Sequence, residues 1–240
     1  MKRFIPLFIF SIAFGLLESI VVVYLRQIYY PDGFAFPLRI LQPEMIKIEI
    51  VREISTIIML LSIGYLSGKT FIERFSYFIF SFGVWDIFYY AGLKLFLNWP
   101  ESLLTWDVLF LIPITWIGPV LAPLICSIGM IFIALITIFL IERSHKLKFT
   151  ALNLIMIIAG VFIIVLTFIF DYARIIIQND FIKDFFTLTE NKEFWNTITS
   201  YVPQKFNWYL FLAGCLIIGG TYFKVFMKSF NHNKKRKSTT

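Results

Sequence analysis

Three acids stand where an acid is least expected. Glu18, Glu53 (in EMIKIEIVREISTIIML) and Asp86 (in GVWDIFYYAGLK) each lie within a long apolar run. An ionisable side chain at the centre of a membrane helix costs about 2.5–3.5 kcal/mol on insertion scales, so such groups face a bundle interior and find partners there. Carboxyl groups held in different surroundings can divide acid and base work. Asp86, deep and beside Trp85, is the expected acid, and Glu53, expected to be held ionised by Arg52, is its partner. Glu18 is the third candidate catalytic carboxylate.

Spacing groups other side chains with these acids. Glu49, Arg52, Glu53 and Thr56 fall on one helical face, where Arg52 can pair with either carboxylate. Tyr89, Tyr90 and Lys94 follow Asp86 at offsets of 3, 4 and 8. Lys94 is too far along for direct contact with Asp86, so hydroxyls or water would have to link them. Ser11, Gly15 and Glu18 share a face of the first run. Rings such as Trp85, Tyr89 and Tyr90 can stabilise a cation. The expected substrate-binding set is therefore Arg52, Trp85, Tyr89, Tyr90, Lys94, Asp107 and Trp116. Each group also has a purely structural reading: an ion pair pinning a helix end, an interhelical hydrogen-bond anchor, a packing face, or a tryptophan in the interfacial belt. A polar seam from Asn153 to Gln178, with Asp171 and Arg174 at its outer end, reads as a cap.

The elements that carry these residues follow from composition. The chain has 240 residues, 59% hydrophobic and 15% charged, with a mean hydropathy of +0.80. That is too little charge to wet the surface of a water-soluble domain, and several runs reach the roughly 20 apolar residues that cross a bilayer. Runs this long in lipid must be helices, and the alternation of a membrane β-barrel is missing. The expected fold is all-α: a polytopic bundle of about six transmembrane helices near 5–25, 46–67, 75–97, 117–141, 150–171 and 207–228. Residues 1–228 form one transmembrane domain, followed by a basic tail, 229–240. Lys2 and Arg3 precede an apolar run without a small-x-small cleavage site, which reads as a retained first helix.

The net charge of +7 does not read as nucleic-acid binding. Lys and Arg cluster at span ends and in KKRK (234–237), as topology signals or contacts with anionic lipid. Lys2, Arg3, Lys69, Arg74, Arg143, Lys146, Lys148 and the tail share one side. Both termini are therefore expected in the cytoplasm, with the protein in the plasma membrane.

Between Leu103 and Ile141 there is about twice the chain that one span needs, with Asp107 its single acid before the helix and Pro113, Pro119 and Pro123 interrupting it. A proline-rich re-entrant or interfacial segment before the fourth span is expected, roofing a polar cavity open to the outside. A long kinked helix is the alternative. No metal or cofactor is expected: there is no DxxD pair and no GxSxG, His145 and His232 lie outside the spans, and Cys126 and Cys215 read as small buried hydrophobes.

The strings VREISTIIML, GVWDIFYYAGLKLFLNWPESLLTWDVLFLIP and TWIGPVLAP resemble those of a group of uncharacterised prokaryotic multi-pass membrane proteins. The resemblance covers about residues 49–123. It implies a membrane location and carries no activity to transfer. Three functions fit the residues: an enzyme acting on a lipid or isoprenoid-type substrate through carboxylate acid/base chemistry, a small transporter or proton- or cation-coupled permease, and a structural or assembly subunit. The expected partners are the bilayer and a lipid substrate, with a second copy or another membrane subunit also open.

Overall fold

The computed structural model describes residues 3–39, 41–143, 147–182 and 191–237, without the side chains of 192 and 231–237. Lys2, His145, Lys146 and the side chains of His232 and of the 234–237 run lie outside that description. The elements are α1 (Phe4–Tyr29), α2 (Pro43–Ser67), α3 (Phe71–Leu97), β1 (Trp106–Phe110), β2 (Trp116–Pro119), α4 (Leu121–Glu142), α5 (Ala151–Gln178), α6 (Lys192–Ile198) and α7 (Trp208–Lys237).

Local sequence explains several boundaries. Thr70 and Glu73 form a capping box at the start of α3, and Asn98 ends that helix in the left-handed region. Thr150 and Asn153 cap α5 in the same way. Pro43 sits at the first position of α2, where its missing N–H has no intrahelical partner to lose.

Helix α3 is the hub, packing against α1, α2 and α4, while α5 packs on α7. Close approach depends on small residues. A Cβ on Gly83 would lie 2.6 Å from the Ser127 carbonyl oxygen of α4, so only glycine lets α3 and α4 meet there. The two groups of helices are joined by the hairpin, whose β2 strand contacts both α4 and α5.

The distribution of side chains is inverted relative to a soluble protein. Glu18, Arg26, Glu49, Glu53, Asp86 and Asp107 are buried, while Leu66, Leu152, Ile158, Phe162 and Leu216 are well exposed. An apolar exterior of this extent belongs against lipid. Four helices among the described residues are long and apolar enough to cross a membrane: α1, α4, α5 and Trp208–Phe230 of α7. The chain is thus compatible with an integral membrane protein.

The structure departs from the sequence reading in five places. Helix α1 runs on to Tyr29 and α5 to Gln178, beyond the expected ends at 25 and 171. The 106–119 stretch is a two-stranded antiparallel hairpin, pairing Trp106 with Pro119, Asp107 with Gly118, and Val108 with Ile117. Its aromatic and β-branched residues suit a strand, and its prolines sit where no ladder bond is lost, Pro113 in the connection and Pro119 at the strand end. The loop after α5 contains the short helix α6, capped by Asn191 and anchored by Phe194 and Ile198 on Tyr172, Ile176 and Ile117. Finally, α7 continues through residues expected to form a tail.

Candidate functional site

A cavity of about 1100 Å³ lies between the two groups of helices and beneath the hairpin. Its polar wall comes from α1, α2, α3 and β1, and its apolar wall from α4, α5 and α7. Every sequence-derived site residue except Lys94 lines it: Glu18, Arg52, Glu53, Trp85, Asp86, Tyr89, Tyr90, Asp107 and Trp116.

Four polar clusters build the wall. In the first, Arg52 lies between two carboxylates. Its Nε and Nη2 donate to Glu49 Oε2 at 2.9 and 2.7 Å, and its Nη1 pairs with Glu18 Oε1. The other oxygen of Glu18 accepts from Thr56 Oγ1 at 3.0 Å. The i, i+3 and i, i+4 pattern of α2 aims Glu49, Arg52 and Thr56 at α1, so the helices are joined by charge rather than by apolar packing alone.

In the second, Glu53 does not depend on Arg52 for a direct partner. Both its oxygens accept from the Leu111 backbone N–H, at 3.0 and 2.9 Å. Leu111 begins the connection between β1 and β2, which has no ladder partner, and the carboxylate supplies the missing acceptor.

The third is Asp86, whose Oδ2 accepts from Ser127 Oγ of α4 at 2.7 Å. Its Oδ1 accepts no hydrogen bond from a described residue. The fourth was not legible in the spacing. Arg26, in the last turn of α1, donates from Nη2 to Asp107 Oδ1 at 2.8 Å. Tyr90 donates its hydroxyl to Asp107 Oδ2 at 3.2 Å. The Arg26 guanidinium stacks 3.7 Å from the centre of the Trp99 ring and 4.3 Å from that of Phe34. An acid alone in 39 residues signals a need for a counter-ion. The placement of Arg26 in a loop hid which cation supplies it.

Lys94 stands apart. It is exposed and donates to the carbonyls of Asn98 and Pro100 at 3.2 and 3.0 Å, closing the end of α3. No tyrosine links it to Asp86. Tyr30, also on the cavity wall, accepts from the Arg39 N–H at 2.9 Å. Burial pushes its phenol above the ordinary value, opposed by that bond and by the charges of Arg39 and Arg26.

Aromatic rings run along the cavity. Tyr89 stacks on Trp85 at 6.1 Å, Phe110 lies 6.4 Å from Trp85 and 5.7 Å from Trp116, and Trp116 stacks on Phe168 at 6.0 Å. Cys126 of α4 and Cys215 of α7, far apart in sequence, also line it and pack against the same cluster of Ala122, Phe168 and Phe211. Among the described residues no group of three or more His, Cys, Asp and Glu side chains is arranged to hold a metal ion.

No protein-family model, curated protein or solved structure matches the chain.

Proposed function

We propose that the protein is a six-span membrane protein of the plasma membrane whose cavity takes up a lipid or isoprenoid-type substrate and presents it to Asp86. Helices α2 and α3, with 25 and 27 residues, extend about 37 and 40 Å at 1.5 Å per residue and complete the bundle with α1, α4, α5 and α7. Their mid-helix acids Glu49, Glu53 and Asp86 are buried, so mostly apolar side chains are left for lipid. With Arg3, Lys69, Arg74 and Arg143 on the cytoplasmic side, both termini lie inside, and the hairpin and α6 cover the cavity on the outer side.

One observation carries this reading: a single cavity joins the carboxylates of Glu18, Glu53 and Asp86 to an aliphatic wall from α4, α5 and α7. Polar head and apolar chain find their surroundings in one space. Asp86 is the group best placed for proton transfer, because Ser127 holds one oxygen and leaves Oδ1 for a substrate. Glu53 holds the hairpin connection, and Glu18 and Glu49 fix Arg52; these three shape the site.

A structural role has an observation in its favour too. Arg26, Arg52, Glu18, Glu49 and Asp107 all have direct protein partners, as register-fixing charges would. The two readings part at the apolar half of the cavity. Gly129 lines it, and a Cβ added there meets nothing within 4 Å. Gly129→Phe should fill the space without disturbing the bundle. Protein purified in mild detergent and extracted for mass spectrometry should yield a defined bound lipid, lost in the Gly129→Phe variant. Equal lipid content in both proteins, or none in either, would defeat the substrate reading.

A further inference from the structure

The polar groups of the cavity wall are unevenly satisfied. Every carboxylate on it accepts a hydrogen bond: Glu18 from Thr56, Glu49 from Arg52, Glu53 from Leu111, Asp86 from Ser127, and Asp107 from Arg26 and Tyr90. Asp86 Oδ1 has no hydrogen bond and Glu18 Oε1 has only its ion pair with Arg52, but the other buried groups of the wall left without a partner are donors. Trp85 Nε1, Trp116 Nε1 and Arg26 Nη1 are buried and have no acceptor among the described residues, and all three residues line the cavity. Trp85 and Arg26 are each 5% exposed. Buried donors are nearly always satisfied, and an unsatisfied one in a cavity wall points to a partner that enters the cavity.

That partner must offer acceptors. An ammonium head has only donors and cannot meet the need. An anionic head meets it but is opposed by charge, because the wall carries five acids, Glu18, Glu49, Glu53, Asp86 and Asp107, against three arginines. A neutral carbonyl satisfies both conditions. The shape adds a further one. Trp85 and Trp116 flank Phe110, and each is stacked with a second ring, Tyr89 and Phe168, at interplanar angles of 19° and 14°. Flat aromatic faces suit a flat ligand ring, and the aliphatic wall of α4, α5 and α7 suits a hydrocarbon tail.

We propose that the ligand is a prenylquinone-type lipid, a neutral ring whose carbonyl oxygens accept from the indole N–H groups of Trp85 and Trp116 while its isoprenoid tail lies along α4 and α5. This rests on the lipid-binding reading above and specifies the class of lipid. Only binding is proposed, with no redox step.

The test uses the full chain in phosphatidylcholine nanodiscs, titrated calorimetrically with a short-chain prenylquinone against empty nanodiscs, and in parallel with a diacylglycerol. A saturable site for the quinone is expected. Trp85→Phe and Trp116→Phe, which keep the ring and remove the donor, should each weaken it about fivefold, the ratio that one net hydrogen bond corresponds to. Trp208→Phe, outside the cavity wall, should leave it unchanged. Trp116 is only partly buried, so its variant remains informative should Trp85→Phe fail to fold. Saturable binding of diacylglycerol without the quinone would overturn this inference and leave the lipid-binding reading intact. Quinone binding indifferent to both indole substitutions would also overturn it. Binding of neither ligand, with no lipid co-purifying, would remove both readings.

Discussion

Arg26 and Asp107 form a buried ion pair, Nη2 to Oδ1 at 2.8 Å, that ties the last turn of α1 to the first strand of the hairpin. Their side chains are 6% and 1% exposed, so neither charge can fall back on water. Removing one partner strands the other, at a cost of about 3–5 kcal/mol. Arg26→Ala and Asp107→Ala should each lower the thermal unfolding midpoint in detergent strongly, while the double variant loses much less than the sum of the two. Additive losses would mean that the pair is not an energetic unit.

Arg52 differs in that it serves two acids. The planar guanidinium donates twice to Glu49 and pairs with Glu18 on the facing helix, a geometry that the single ammonium of lysine cannot reproduce. Arg52→Lys should keep the fold and lose about 1.5–3 kcal/mol, the value of a hydrogen bond to a charged group; Arg52→Ala should lose more. Unfolding midpoints of the two variants, compared at equal detergent concentration, provide the check. Equal stability of Arg52→Lys and the native chain would argue against the bidentate contact.

The Asp86–Ser127 bond separates positioning from stability. Ser127→Ala should cost about 1 kcal/mol through the lost bond. Asp86→Asn should cost a similar amount and also alter the lipid bound, because it removes an ionisable group facing the cavity. Midpoints and extracted lipid, measured on both variants, distinguish the two effects. Unchanged lipid in Asp86→Asn would remove Asp86 from the site.

Glycines report where helices touch. A Cβ at Gly160 would meet Ile218 at 2.6 Å and the Gly214 carbonyl at 3.0 Å. Gly160→Ala should therefore cost about 1–3 kcal/mol, as overpacking does. Gly129→Ala, facing open space, should be tolerated. Reversed outcomes in thermal unfolding would misplace the cavity.

Much of this was legible because the physics is local. Intramembrane charge is costly enough to be read residue by residue, which brought Glu18, Glu53 and Asp86 forward, and helical spacing grouped Glu49, Arg52 and Thr56. What escaped depends on contacts distant in sequence. Arg26 lay just past an expected span end and looked like a loop cation. Glu53 found a backbone donor 58 positions away, which no spacing rule reveals. Lys94 sat on the right side of α3 but was drawn to its C-terminal carbonyls, where cations are favoured. Two prolines masked a strand pair, since the sequence shows their interruption but not where the ladder falls. The two cysteines, read as small buried hydrophobes, come from α4 and α7 to one cluster around Phe168 and Phe211.

That adjacency is itself testable. Mild oxidation of the purified chain should link Cys126 to Cys215 within one molecule, seen as a disulfide-bonded peptide by mass spectrometry and absent after Cys215→Ser. Only intermolecular products would contradict the placement of both thiols against one cluster.

The most direct test of a lipid-binding cavity is to ask where a lipid chain goes. Membranes containing the protein are loaded with a photoactivatable prenyl or acyl probe, irradiated, and the labelled peptides mapped. Labelling of cavity-lining positions such as Met130, Ile133, Ile164 and Val165, suppressed by Gly129→Phe, is the expected result. Labelling confined to outward-facing positions such as Leu152, Ile158 and Leu216, with or without that substitution, would show that the chain only sits in lipid and holds none.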